Sequence, residues 1–171
     1  EPGALVGFLG PRVYEHLYGE PFPAGVQTAE NLQHHGVIDG VVPLTLLRGT
    51  LDRALKVVSD IPEPAPIAET GDDLPDVPAW TSIEASRRPD RPGASHLLRH
   101  GCTERVLLSG TGQGETASTT LLALARFSGQ PAVVLGQQRV TGGLVGPASL
   151  REARRGMALA AGLGLPLVLV I

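Results

Sequence analysis

Residues 119–138 read TTLLALARFSGQPAVVLGQQ. Two apolar runs, Thr119 to Phe127 and Ala132 to Gln138, are divided by Ser128, Gly129, Gln130 and Pro131. Runs of this length, separated by turn formers, are expected to be the two strands of a β-hairpin. The second strand ends in GQQR and leads into the glycine-rich stretch VTGGLVGPA. Ser149, followed by Glu152 three residues on, has the spacing of a capping box, which predicts a helix running to about Ala161. On that helix Leu150, Ala153, Met157 and Ala160 share the expected buried face, with Arg151, Arg154 and Arg155 largely away from it. Gly162 and Gly164 would close the helix, and PLVLVI reads as a buried strand. A helix feeding a continuous apolar strand predicts α/β layering.

Upstream of the hairpin, GTGQGET at 110–116 clusters glycines as phosphate-binding loops do, because bare backbone N–H groups can approach an anion. It lacks the nucleotide lysine, and a strand rather than a helix is expected after it, so the stretch reads as a plain turn. Before it, WTSIEASRRPDRPGASHLLRHG contains a predicted short helix from Ser95 to Arg99, closed by Gly101. His96 and His100, four apart, could face one metal ion. Leu97, however, stands where a zincin would carry glutamate, and no third ligand accompanies them, which favours a surface helix.

Residues 60–79, DIPEPAPIAETGDDLPDVPA, hold five prolines, six acidic residues and no basic ones, the composition of a solvated linker. The stretch before it is expected to open as strand, turn and short helix: Pro11 begins a helix carried by Arg12 to Tyr18, and Gly19 caps it. A second helix is predicted from Ala29 to His35, with Thr28 as N-cap and Gly36 as terminator. Val37 to Val42 then reads as a strand. The pair His34–His35 sits at this helix end, where the dipole tolerates histidine. Adjacent rings lie about 100° apart around a helix and should diverge, so no metal site is expected.

Composition narrows the function classes. The net charge is −3 with scattered arginines and a single lysine, Lys56, so there is no electrostatic footprint for nucleic acid. One cysteine, Cys102, excludes an internal disulfide and a zinc ribbon, and it fits a reducing cytoplasm. The longest apolar stretch, LGLPLVLVI, is far below the roughly 20 residues of a membrane helix. Starting without Met and stopping inside an apolar strand pattern, the chain reads as a fragment. The loops GFLG and TGGLVG could present backbone N–H groups to a developing oxyanion, each donor contributing ~3 kcal/mol in a transition state. Ordinary tight turns use glycine too, and on chemistry alone that is the favoured reading.

As a whole, EPGALVGFLGPRVYEHLYGEPFPAGVQTAENLQHHGVIDGVV resembles the end of the β subunit of bacterial acetyl-CoA carboxylase carboxyltransferase. SRRPDRPG, LARFSGQPAVVLGQQR and PLVLVI resemble the opening of the α subunit of the same enzyme. The resemblance covers nearly the whole chain in β-then-α order. It implies an α/β, crotonase-like fold, a spiral of ββα units. Parts of two such domains are expected: 1–59 as the C-terminal part of the β-type domain, 60–79 as the linker, and 80–171 as the N-terminal part of the α-type domain.

The implied reaction moves a carboxyl group from carboxybiotin, held on a separate carrier protein, to acetyl-CoA, giving malonyl-CoA for fatty-acid synthesis. CO2 leaves biotin, the biotin anion takes a methyl proton, and two oxyanion holes hold the enolate and the biotin carbonyl. ATP is used by the partner biotin carboxylase. The implied partners are that enzyme and the biotin carboxyl carrier protein, with the fused chain as a homo-oligomer in the cytoplasm, away from nucleic acid and membrane. The oxyanion loops are expected upstream of Glu1 and beyond Ile171, so no catalytic or metal-binding residue is assigned in this chain. Gly7, Phe8 and Gly10 match the acyl-CoA pocket wall. Gln137, Gln138, Arg139, Gly142 and Gly143 match the biotin side, with Gly136-Gln137-Gln138-Arg139-Val140 where the α subunit has GHQKG. The competing expectations are a carboxyltransferase for a longer acyl-CoA and a non-catalytic assembly subunit. An enoyl-CoA hydratase is disfavoured because Gly3 stands where its glutamate would be.

Overall fold

The computed structural model describes residues 1–7, 9–59, 63, 76–138 and 143–171. Phe8, Arg139, Gly142 and most of the expected linker fall outside the described residues. The elements in chain order are α1 (Pro11–Tyr18), α2 (Ala29–His34), α3 (Leu44–Ser59), α4 (Ala79–Ser86), α5 (Ala94–His100), β1 (Glu104–Leu108), β2 (Thr120–Phe127), β3 (Gln130–Gln137), α6 (Pro147–Leu163) and β4 (Leu167–Val170).

The expected hairpin is the centre of the molecule. β2 and β3 pair antiparallel from Phe127↔Gln130 to Thr120↔Gln137, leaving Ser128 and Gly129 as a two-residue turn. Both turn residues have positive φ, 47° and 86°, the geometry whose twist suits a tight hairpin. Pro131 is therefore inside β3. It precedes the first rung to β4, Val133↔Leu167, so its missing N–H breaks no bond of that ladder. β1 adds antiparallel to β2, and α6 carries the chain over to β4, parallel to β3, giving the order β1-β2-β3-β4.

Leu121 to Arg126 are all buried because helices cover both faces of the sheet. On one face Leu122, Leu124 and Val133 pack with Val57 of α3, Ala160 of α6 and Leu165. On the other, Leu121, Ala123, Ala125 and Val134 pack with Ala94 and Leu98 of α5. Full burial of side chains such as Leu98 and Leu122 stabilises the fold by about 2 kcal/mol each.

α1 is as expected, with Pro11 in its first turn and Gly19 left-handed at its end. α2 starts with Thr28 accepting from the Asn31 N–H at 3.3 Å, and Gly36 follows its end at φ 67°. α3, α4 and β1 were not anticipated. α3 carries leucines around most of its circumference, which blurs its period: Leu44, Leu51 and Leu55 are exposed while Val57 is fully buried.

Four expectations are corrected. The opening strand is reduced to one isolated bridge, Leu5↔Thr28. Val37 to Val42 forms no strand, because Asp39 turns its carboxylate onto the Ser109 N–H at 2.9 Å and onto Arg155. Ser149 and Glu152 form no capping box: α6 starts at Pro147 with Gly146 as N-cap, so both lie inside the helix and are buried. The buried face of α6 is consequently Ser149, Glu152, Gly156 and Ala160, while Leu150 and Met157 are exposed. The helix rolls its small residues onto the sheet so that the axis can come close. A Cβ on Gly156 would stand 2.7 Å from Leu122 Cδ1.

Candidate functional site

β3 and β4 end side by side, next to the N-terminus of α6. Strand ends of parallel pairs are where α/β proteins commonly bind ligands, because the connecting loops diverge there. An apolar cavity of about 300 Å³ lies there, with Leu135, Gln137, Leu150, Ala153, Leu169 and Ile171 among its lining. Among the described residues no titratable side chain lines it. It can bury an apolar group, and its described lining supplies no acid or base. Its floor is held by the buried pair Thr119 Oγ1 and Ser149 Oγ, 2.8 Å apart.

Gln137 and Gln138 are brought together at this strand end but play different parts. The Gln138 backbone N–H donates to Thr119 O at 2.8 Å, and its amide is held by Ser95 Oγ at 3.3 Å and Thr120 O at 3.4 Å. The Gln137 side chain is exposed and has no hydrogen-bond partner among the described residues. It borders the apolar cavity on one side of the sheet end and a polar cleft beside α5 on the other. Gly143 is exposed in the loop before α6.

Gly7 and Gly10 lie in a separate region. Gln27 crosses Gly7 so closely that a Cβ there would overlap its amide, and Gln27 Nε2 donates to Leu9 O at 2.6 Å. Gly10 is the N-cap of α1 with open space around it. A cavity of about 370 Å³ nearby is lined by Leu5, Pro11, Phe22 and Gln27, among others. Among the described residues no hydrogen bond joins the Gly7 and Gly10 region to Gln137 or Gln138.

A polar junction unforeseen in the sequence ties the segment 36–39 to α6. Arg155 is turned inward: its Nη2 donates to Asp39 Oδ1 and Oδ2 at 2.9 and 2.7 Å, and its Nη1 donates to Ser109 O and Gly110 O at 3.0 and 2.8 Å. Arg151 holds Glu115 beside it, and this hydrogen bond keeps the Glu115 carboxyl below its ordinary pKa. Gly36 and Gly110, both left-handed, touch so closely that a Cβ on either would overlap the other. The Gly112 N–H donates to Gly36 O at 2.8 Å. The GTGQGET stretch is thus the turn that its sequence predicts, closed here by arginines.

Glu152 is buried in the same junction, and its Oε2 has no hydrogen-bond partner among the described residues. Desolvation raises its pKa, opposed by Arg155 and by a hydrogen bond from the Gly110 backbone. The histidines behave otherwise than spacing alone implies. His34 and His35 do not diverge but meet edge to face at 5.2 Å, and His35 Nδ1 lies 2.8 Å from Asn31 O. His96 and His100 rings are 4.4 Å apart on α5.

Comparison with known proteins adds what geometry does not. Residues 1–171 match the carboxyl transferase domain. The chain is 73% identical over its whole length to the "Probable biotin-dependent acyl-coenzyme A carboxylase beta3 subunit" of Mycobacterium tuberculosis, covering 35% of that protein. The Mycobacterium bovis protein of the same name matches with the same identity and coverage. At 36% identity it also matches, over all of its own length and 34% of the relative, "Acetyl-coenzyme A carboxylase carboxyl transferase subunits beta/alpha" of Salinispora tropica. The chain therefore spans about a third of the length of these relatives.

Proposed function

The chain belongs to the carboxyl transferase domain family, with its crotonase-like α/β class, and from that premise we propose that it is part of the carboxyltransferase of a biotin-dependent acyl-CoA carboxylase. The observation that carries this reading is the match of all 171 residues, from end to end, to that one family. The reaction moves the carboxyl group of carboxybiotin to the α-carbon of an acyl-CoA. Carboxybiotin rides on a separate carrier protein, and ATP is consumed by a partner biotin carboxylase. The setting is cytoplasmic, and the chain works as a homo-oligomer. No helix among the described residues is long and apolar enough to cross a membrane.

Residues 1–59 form the end of a β-type domain and 80–171 the start of an α-type domain. Gly7, Phe8 and Gly10 are assigned to the acyl-CoA side and Gln137, Gln138, Arg139, Gly142 and Gly143 to the biotin side. The unpartnered Gln137 amide beside an apolar cavity supports this assignment, since a bicyclic urea needs one polar contact and an apolar wall. Acetyl-CoA is one acceptor; a longer acyl-CoA fits equally, because the relatives at 73% identity are named for acyl-CoA without a stated length.

The test is carboxyl transfer by the full-length protein, with a carboxybiotin-loaded carrier and acetyl-, propionyl- and long-chain acyl-CoA in parallel. Turnover with any of them supports the enzyme, and their kcat/KM ranking names the substrate. Assembly with the biotin carboxylase and carrier without turnover of any acyl-CoA establishes the non-catalytic alternative. In an active enzyme, Gln137→Ala raises KM for the carboxybiotin carrier while leaving that for acyl-CoA unchanged; equal effects on both would remove it from the biotin side.

A further inference from the structure

Of the clefts that carry arginines, two differ in how far carboxylates answer their charge. The cleft under α6, about 320 Å³, is lined by Arg151, Arg154 and Arg155, among others. Glu115 and Asp39 pair with two of these three. The cleft beside α5 is larger, about 380 Å³, and presents Arg91, Ser95, His96, Arg99, Gln137 and Gln138.

In that second cleft Arg91 has a neutral partner, donating Nη1 to Ser86 O at 3.2 Å. Arg99 is exposed and makes no ion pair among the described residues. Asp90 also borders the cleft, but Arg88 holds both of its oxygens, at 3.0 and 2.6 Å, so that pair contributes little net charge. Among the described residues, two guanidinium groups are therefore gathered around one concavity without a carboxylate to balance them. An imidazole and the free amide of Gln137 sit beside them. Like charges held together repel, and a multiply charged anion relieves that repulsion while accepting from several donors at once. The volume is within the roughly 300–1,000 Å³ of small-molecule sites and exceeds what one inorganic ion fills.

We infer that the cleft between α5 and the end of β3 is a binding site for a phosphate-bearing ligand of diphosphate size, gripped by Arg91 and Arg99. The inference stands on this charge balance and does not depend on the carboxyl-transfer reading: a protein inactive with every acyl-CoA still carries the site.

The experiment is titration calorimetry of the full-length protein with inorganic pyrophosphate at low ionic strength. Saturable binding of one pyrophosphate per chain is expected, weakened at least tenfold in Arg99→Gln and in Arg91→Gln. Arg154→Gln, in the cleft under α6, should bind as the unmodified protein does, and thermal melting should show all variants folded. No saturable binding, undiminished binding by a folded Arg99→Gln, or loss in Arg154→Gln instead would overturn the assignment. Coenzyme A distinguishes the sources. Competition with pyrophosphate means that the site takes the diphosphate of a nucleotide-containing substrate; undiminished pyrophosphate binding in its presence means a free phosphate compound.

Discussion

The two arginine-lined clefts differ in what stands opposite the cations, and the difference separates a structural use of arginine from a binding one. Under α6, Arg155 meets the Asp39 carboxylate and two backbone carbonyls and Arg151 meets the Glu115 carboxylate, all from distant parts of the chain, so the charge is spent in holding the molecule together. Beside α5 the cations face an open concavity. A buried or half-buried ion pair contributes to stability chiefly because breaking it strands a charge, whereas an unanswered surface cation contributes little to the fold. The contrast can be attacked from the side of stability.

The largest effect is expected where the junction is tightest. Gly110→Val adds a β-branched side chain at φ 64° where even a Cβ overlaps Gly36. It should destabilise the protein by about 4 kcal/mol or prevent folding, as read by denaturant unfolding. A loss below about 1 kcal/mol would mean that segment 36–39 is not seated against the loop. Asp39→Ala should cost less, about 2 kcal/mol, since Arg155 keeps two carbonyl partners and the pair is only half-buried. Double-mutant analysis with Arg155→Ala should then recover most of that as coupling energy; additive losses would break the pairing.

Glu152→Gln tests the same junction through pH. The folded pKa of Glu152 is raised, so below the ordinary carboxylate range both folded and unfolded states hold the proton and no stability is lost. As pH rises past the unfolded value near 4.5, the unfolded chain ionises first and stability falls until the folded group ionises too. The glutamine variant removes that fall. Its melting temperature relative to the unmodified protein should therefore improve between acidic and neutral pH, and a constant difference across that range would contradict a raised Glu152 pKa. The smallest effect belongs to the rim: Arg154→Gln should leave stability unchanged within error, because Arg154 is exposed and makes no ion pair among the described residues.

What could be read in the chain without coordinates follows the strength of local signals. The hairpin was legible because two apolar runs flank a Ser-Gly turn, and α1, α2 and the end of α6 because Pro11, Thr28, Gly36 and Gly164 act within a few residues of themselves. The misreadings share one cause. Leu150 and Met157 were assigned to the core by size, yet Gly156 lets α6 approach Leu122, and the helix turns accordingly. Val37 to Val42 looks like a strand by composition, but Asp39 is drawn to a partner 116 positions away. α3 escaped because its leucines surround it.

The candidate site was legible in the same uneven way. The strand end at Gln137 and Gln138 followed from the hairpin; the two cavities that Gln137 borders did not. The cleft beside α5 could not be found, since Arg91, Arg99 and Gln137 come from three segments and only the packing of α5 on the sheet gathers them. The sequence by itself determined the α/β class, the central hairpin, the helix ends and, through GFLGPRV and LARFSGQPAVVLGQQR, the family. These rest on short-range sterics, capping and runs of residue type. Tertiary structure alone decided which face of α6 is buried, that Asp39 seats on Arg155, and which arginines of the two clefts meet a carboxylate among the described residues, because burial and ion pairing depend on distances between residues that sequence separation does not encode.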